Sequence, residues 1–81
     1  MKNFKLDNIY SIVCNWKNRR NGFKHTANLY KNGLSIYETK ICYLNRTWER
    51  FEYESILTKV ITKYFNDKEK ENYLQVIKDI I

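Results

Sequence analysis

Phe23-Lys24-His25-Thr26-Ala27-Asn28-Leu29-Tyr30-Lys31-Asn32-Gly33-Leu34-Ser35-Ile36-Tyr37-Glu38-Thr39-Lys40-Ile41 is two alternating stretches joined by an Asn-Gly pair. Phe23, His25, Ala27 and Leu29 fall on one side of the first stretch, with Lys24, Thr26, Asn28 and Tyr30 on the other. A period of two predicts a half-buried strand, and Asn-Gly between two such runs predicts a hairpin. A two-residue loop would set Ala27 opposite Glu38 and His25 opposite Lys40, mixing charge into the apolar face. A three-residue loop, Lys31-Asn32-Gly33, with Gly33 left-handed in a bulge, sets Phe23 opposite Ile41, His25 opposite Thr39 and Ala27 opposite Tyr37. This second register keeps charge off that face and is the one expected. The other face then carries Lys24 beside Lys40, Thr26 beside Glu38 and Asn28 beside Ile36, a surface for solvent or a partner.

Upstream, residues 9–16 alternate with Tyr10, Ile12, Cys14 and Trp16 on one face, which predicts a first strand. Lys17-Asn18-Arg19-Arg20-Asn21-Gly22 reads as a polar loop between it and the second strand. Downstream, Tyr53, Ile56, Leu57, Val60, Ile61 and Tyr64 recur at helical spacing, with Phe51 and Phe65 extending the stripe. The helix starts between residues 47 and 52, where Thr47 or Asn45 can cap and Trp48 can pin the turn. Asn66 and Glu69 fit a capping box that opens a second helix, whose apolar face is Tyr73, Val76, Ile77, Ile80 and Ile81. The expectation is a single α+β domain over residues 1–81. In it a three-stranded antiparallel meander (about 9–16, 23–30 and 34–44) packs against two C-terminal helices (about 50–65 and 67–80).

Eighty-one residues, 43% hydrophobic and 16% aromatic, support one modest core and leave no room for a large cofactor cleft. No Pro and only two Gly argue against long linkers. No apolar run approaches the roughly 18 residues of a membrane span, and the N-terminus lacks the pattern of a secretion signal, so the cytoplasm is expected. Cys14 and Cys42 have no Cys or His at metal-ligand spacing and read as buried free thiols. Asn45-Arg46-Thr47 matches a glycosylation sequon, which means nothing without export.

Charge is segregated. Residues 1–50 hold ten Lys and Arg against three acidic side chains, a balance of +7, whereas residues 51–81 hold five against six, a balance of −1. Such a half seeks a polyanion or an acidic protein. Lys17, Arg19 and Arg20 sit on the expected loop, where a hairpin tip can grip phosphates, and Lys24 and Lys40 lie on the outward sheet face. Tyr30 is the candidate ring for stacking on an unpaired base, although it also suits packing.

No reaction is spelled out. His25, the only histidine, lies on the inner face of a strand with no nucleophile shown beside it, and reads as core or rim. Glu49, Glu52 and Glu54 crowd a helix start, where the dipole stabilises negative charge. There is no phosphate-cradling Gly-rich loop and no metal-binding Cys and His cluster. The expectation is a non-catalytic protein with no catalytic residues, no cofactor and no metal.

A three-stranded meander followed by a helix is similar in topology to the later part of a double-stranded RNA-binding domain. Those domains have a helix before the sheet and a Lys-rich start to the final helix, which this chain lacks. A further resemblance lies in Tyr43-Leu44-Asn45-Arg46-Thr47-Trp48-Glu49-Arg50-Phe51-Glu52-Tyr53-Glu54-Ser55, together with Gly22-Phe23-Lys24-His25-Thr26-Ala27-Asn28-Leu29. Over about residues 11–61 the chain resembles a small domain of phage and mobile-element proteins, a background that includes anti-CRISPR inhibitors. The resemblance implies a binding protein in the bacterial cytoplasm whose partner is a CRISPR nuclease or its ribonucleoprotein. Stand-alone binding of DNA or RNA is the alternative. Arg46 and Arg50, at the junction, join the expected contact residues, although both can equally pair with Glu49 or Glu54. Ile77, Ile80 and Ile81 can close the core or form a seam, so monomer and homodimer both stand.

Overall fold

The computed structural model describes residues 1–45 and 48–81. Four strands, β1 (Lys2–Lys5), β2 (Tyr10–Arg19), β3 (Gly22–Lys31) and β4 (Leu34–Tyr43), form one antiparallel sheet in the order β1-β2-β3-β4. Two helices, α1 (Glu49–Tyr64) and α2 (Asp67–Ile80), follow and cover one face of the sheet. The α+β class and both helices agree with expectation. The sheet has four strands rather than three.

The additional strand is short. Phe4 pairs with Ile12 and Lys2 with Cys14, so β1 extends the meander on its outer edge. Phe4 and Leu6 are both buried, and they alternate with Lys5 as a strand should. Asp7 then turns the chain. Its Oδ1 accepts hydrogen bonds from the backbone N–H of Ile9 (2.8 Å) and Tyr10 (2.7 Å), the local closure for which Asp is favoured in turns.

At the other hairpin the molecule resolves the conflict between turn chemistry and charge differently from the sequence-based expectation. Asn32 (φ 51°) and Gly33 (φ 83°) are both left-handed and form a two-residue turn, closed by Lys31 opposite Leu34. A register shift between Leu29 and Tyr30 then moves the ladder, setting Leu29 opposite Tyr37, Ala27 opposite Thr39 and His25 opposite Ile41. One extra residue in β4 thus keeps Glu38 and Lys40 off the inner face. Lys24 consequently faces Cys42, not Lys40, and Lys40 faces Thr26.

The core lies between the inner sheet face and the helices. Ile12, Cys14, Ala27 and Leu29 meet Ile56, Leu57, Val60 and Ile61 of α1, with Tyr73 and Ile77 supplied by α2. Each buried aliphatic side chain contributes about 1.5–3 kcal/mol. Phe65 closes this stripe, packing on Tyr10 and Tyr73. Phe51, expected in the stripe, is exposed because it lies off the arc of α1 that buries Glu52, Ile56 and Val60, and Tyr64, also expected there, is exposed in the last turn. Asn66 caps α2 as expected, its Oδ1 accepting from the Glu69 backbone N–H at 2.9 Å. Trp48 occupies the cap position of α1 without a side-chain hydrogen bond and is 83% exposed, so it does not pin the junction. Thr47 lies outside the described residues. Among the described residues no helix is long and apolar enough to cross a membrane.

One polar contact ties the two ends of the chain together. The Tyr73 hydroxyl donates to Asp7 Oδ2 at 2.6 Å, joining α2 to the turn between β1 and β2. Burial pulls the Asp7 carboxyl upward, but the bonds from Tyr73, Tyr10 and Ile9 outweigh it and hold the group below the usual carboxylate value. Its stabilisation is therefore present above the unfolded value of about 3.9 and is lost as pH falls through the lower folded value. Tyr73→Phe should cost about 1 kcal/mol in urea denaturation at pH 7, the contact being only partly buried. The deficit should shrink as pH falls below the usual carboxylate value. A deficit that persists undiminished in acid would show that the hydroxyl acts through something other than the Asp7 carboxylate.

Candidate nucleic-acid interface

Two helices cover one face of the sheet, and the other carries none. The period of two assigns to the open face Asn3 and Lys5 of β1, then Ser11, Val13, Asn15, Lys17 and Arg19 of β2. From β3 it takes Lys24, Thr26, Asn28 and Tyr30, and from β4 Glu38, Lys40 and Cys42. Among these described residues Glu38 is the single acid against five bases.

The basic loop expected at residues 17–22 is mostly strand. Lys17 pairs with Lys24 and Arg19 with Gly22, which leaves Arg20-Asn21 as a two-residue turn. Lys17 and Arg19 are therefore carried on the sheet, with their backbone fixed by the ladder. Arg20 alone stays on the tip. Gly22, with φ 134°, brings the tip against the end of β4, where a Cβ would lie 2.0 Å from the Tyr43 carbonyl oxygen. The resulting cleft, of about 400 Å³, is lined by Arg19, Arg20, Asn21, Phe23 and Tyr43 among others.

Lys17, Arg19, Arg20, Lys24 and Lys40 thus share the tip half of the open face. Tyr30 does not join them. It pairs with Ser11 and Ser35 near the opposite end of β3, roughly 25 Å along the strand from Gly22. Arg50 lies in the helical layer, lining a separate cleft with Lys2, Phe4, Glu49 and Tyr53. Arg46 is outside the described residues.

Polar side chains are also found beneath α1. His25 is fully buried, stacked on Trp16 at 3.9 Å and 17° and met edge-on by Tyr53 at 5.3 Å. Glu52, expected as a surface charge at the helix start, is fully buried too. Burial pushes the Tyr43 phenol up, the Glu52 carboxylate adds to that, and a hydrogen bond with Ser55 partly offsets both. Cys14 is buried and its thiol is pushed up to about 12 by desolvation, so it stays protonated at neutral pH. Cys42, expected to be buried, is exposed on the open face because its strand position points outward. Among the described residues no group of three His, Cys, Asp or Glu side chains could hold a metal ion.

Two surface features lie beyond the contact residues expected from sequence. Asn15, Thr26 and Asn28 sit at the centre of the open face, and strand alternation alone places them there. Leu44, Trp48 and Phe51, which flank the junction of β4 and α1 in sequence, are each exposed, at 81%, 83% and 57% accessible. Leu44 is adjacent to Gly22 at the basic tip. Comparison with family models, with curated proteins and with solved structures finds no match to this chain.

Proposed function

We propose that this chain is a non-catalytic binding protein that engages a nucleic acid through its uncovered sheet face and the tip of the β2–β3 hairpin. The observation carrying this reading is the juxtaposition of Lys17, Arg19, Lys24 and Lys40 on one helix-free surface, with Arg20 on the adjoining tip, opposed among the described residues only by Glu38. Lys17 and Lys24 stand directly opposite each other, a like-charge pair that costs stability and is explained by an anionic ligand. Backbone phosphates fit such a surface, because each neutralised phosphate releases counterions.

A second reading has its own support. Leu44, Trp48 and Phe51 are large, apolar and exposed, and Leu44 lies beside the basic tip, a composition suited to the centre of a protein interface. An anti-CRISPR inhibitor seated on a Cas nuclease or its guide complex would use both features.

Binding of fluorescent DNA and RNA across a salt series tests the first reading. Affinity should fall steeply with salt, and Arg19→Ala with Arg20→Ala should reduce the slope of log affinity against log salt by up to about 2. Absence of binding at low salt would remove this reading. Target cleavage by a panel of guide-loaded Cas nucleases tests the second. Stoichiometric protein should block one of them and Trp48→Ala should relieve the block, whereas unimpaired cleavage throughout would sink it.

A further inference from the structure

We infer that the open face reads duplex DNA in the major groove, with Asn15, Thr26 and Asn28 contacting base edges and selecting A·T pairs. This deepens the nucleic-acid reading above and rests on it.

The shape of the surface argues for a duplex. A platform for single strands stacks successive bases on aromatic rings, whereas Tyr30 is the one ring that strand alternation places on this face, and it lies far from the basic tip. The major groove of A-form RNA is too deep and narrow for side chains to read. That of B-DNA, about 12 Å wide, admits a two-stranded ribbon. β2 and β3 present such a pair, with β4, joined to β3 along almost its whole length, lying alongside as a third strand. Pairing with β1 ends where Lys2 meets Cys14, so among the described residues no strand pairs with the edge of β2 from Asn15 to Arg19.

Side-chain chemistry then assigns the roles. Asn15 pairs with Thr26, and Asn28 follows two residues on along the same face of β3. Among the described residues no side-chain hydrogen bond engages any of the three. A carboxamide offers a donor and an acceptor side by side, which matches N6 and N7 of adenine, and the Thr and Val methyl groups suit the methyl of thymine. Val13, opposite Asn28, supplies such a contact. The diagonal from Asn15 to Asn28 spans roughly 7–8 Å, close to two base-pair steps. Lys17, Lys24 and Lys40 flank this polar centre on its tip side, where phosphates border the groove, while Glu38 stands opposite Asn28 on the far side.

Selection from a pool of random-sequence duplexes with the full chain, followed by anisotropy titrations, tests the inference. A short motif containing A·T pairs should emerge. Asn15→Ala and Asn28→Ala should each weaken binding to the recovered duplex about ten-fold, leave an unrelated duplex nearly unaffected and preserve the salt slope. Equal competition by single-stranded DNA or double-stranded RNA would overturn the inference, as would equal losses on every duplex. Salt-dependent binding without an enriched motif would overturn base reading while leaving the nucleic-acid proposal standing. No binding to any nucleic acid would overturn both.

Discussion

Gly22→Ala should destabilise the protein by about 3–5 kcal/mol and lower its melting temperature by roughly 15–30 °C, a larger effect than the same change at Gly33. Two costs combine. At φ 134° the backbone occupies a region nearly closed to residues with a Cβ, at about 1–3 kcal/mol. The added carbon would also lie 2.0 Å from the Tyr43 carbonyl oxygen and 3.1 Å from the Leu44 Cα, which are backbone atoms that cannot rotate away. Relief requires the hairpin tip and the end of β4 to part, at a further cost typical of overpacking. A domain of this size has roughly 4–12 kcal/mol to lose in all. Gly33→Ala supplies the control. Its φ of 83° is also left-handed, but a Cβ there meets nothing within 4 Å, so only the conformational penalty of about 1–2 kcal/mol applies. Thermal and urea denaturation of both variants decides the matter. Equal losses would mean that close packing of the tip against β4 contributes nothing.

That close approach was not visible in the sequence, where Gly22 reads simply as the end of a polar loop. The reason is instructive for the whole sheet. Alternation specifies which side chains share a face, and it placed His25, Ala27, Leu29, Tyr37 and Ile41 correctly on the inner one. It does not specify how a hairpin reconciles its turn with that face. Asn32-Gly33 favours a two-residue loop while Glu38 and Lys40 forbid the uniform register that loop implies. Lengthening the loop is one solution. The molecule uses another, keeping the turn and inserting a bulge, which leaves the same side chains on the inner face but moves each pairing two residues along β4, so that His25 meets Ile41 rather than Thr39.

The remaining differences also have local causes. β1 is four residues long, and Phe4 stands between Lys and Asn neighbours that obscure the period, so its strand becomes apparent only beside Ile12. Lys17, Asn18 and Arg19 are polar because both faces of β2 emerge into solvent beyond Trp16, not because the strand has ended. The candidate surface was legible as a set of outward positions. Its extent was not: separating Tyr30 and Arg50 from the tip requires strand lengths and the placement of α1. Burial of Glu52 was similarly hidden, since charge at a helix start has a sufficient surface explanation.

Lys17 and Lys24 allow fold and function to be pulled apart. The two stand opposite each other on the open face, so Lys17→Glu replaces a repulsive cross-strand pair with an attractive one and should raise stability by about 0.5–1 kcal/mol. The same change should weaken nucleic-acid binding, since one lost phosphate contact costs about eight-fold in 0.1 M salt at a slope of 0.9 per contact. Lys17→Glu with Lys24→Glu restores a like-charge pair, returning stability to near its starting value. Its two lost contacts multiply to about 60-fold, and repulsion between the new carboxylates and the phosphates takes the loss further. Stability and affinity would then move in opposite directions in the single variant, while in the double variant only affinity would collapse. A structural role for the pair predicts a different pattern, in which affinity follows melting temperature and the single variant binds at least as well as the parent. Denaturation midpoints and anisotropy titrations on the same preparations distinguish the two. The strain built into this lysine pair is most simply understood if the free protein tolerates a mild repulsion that bound phosphates relieve.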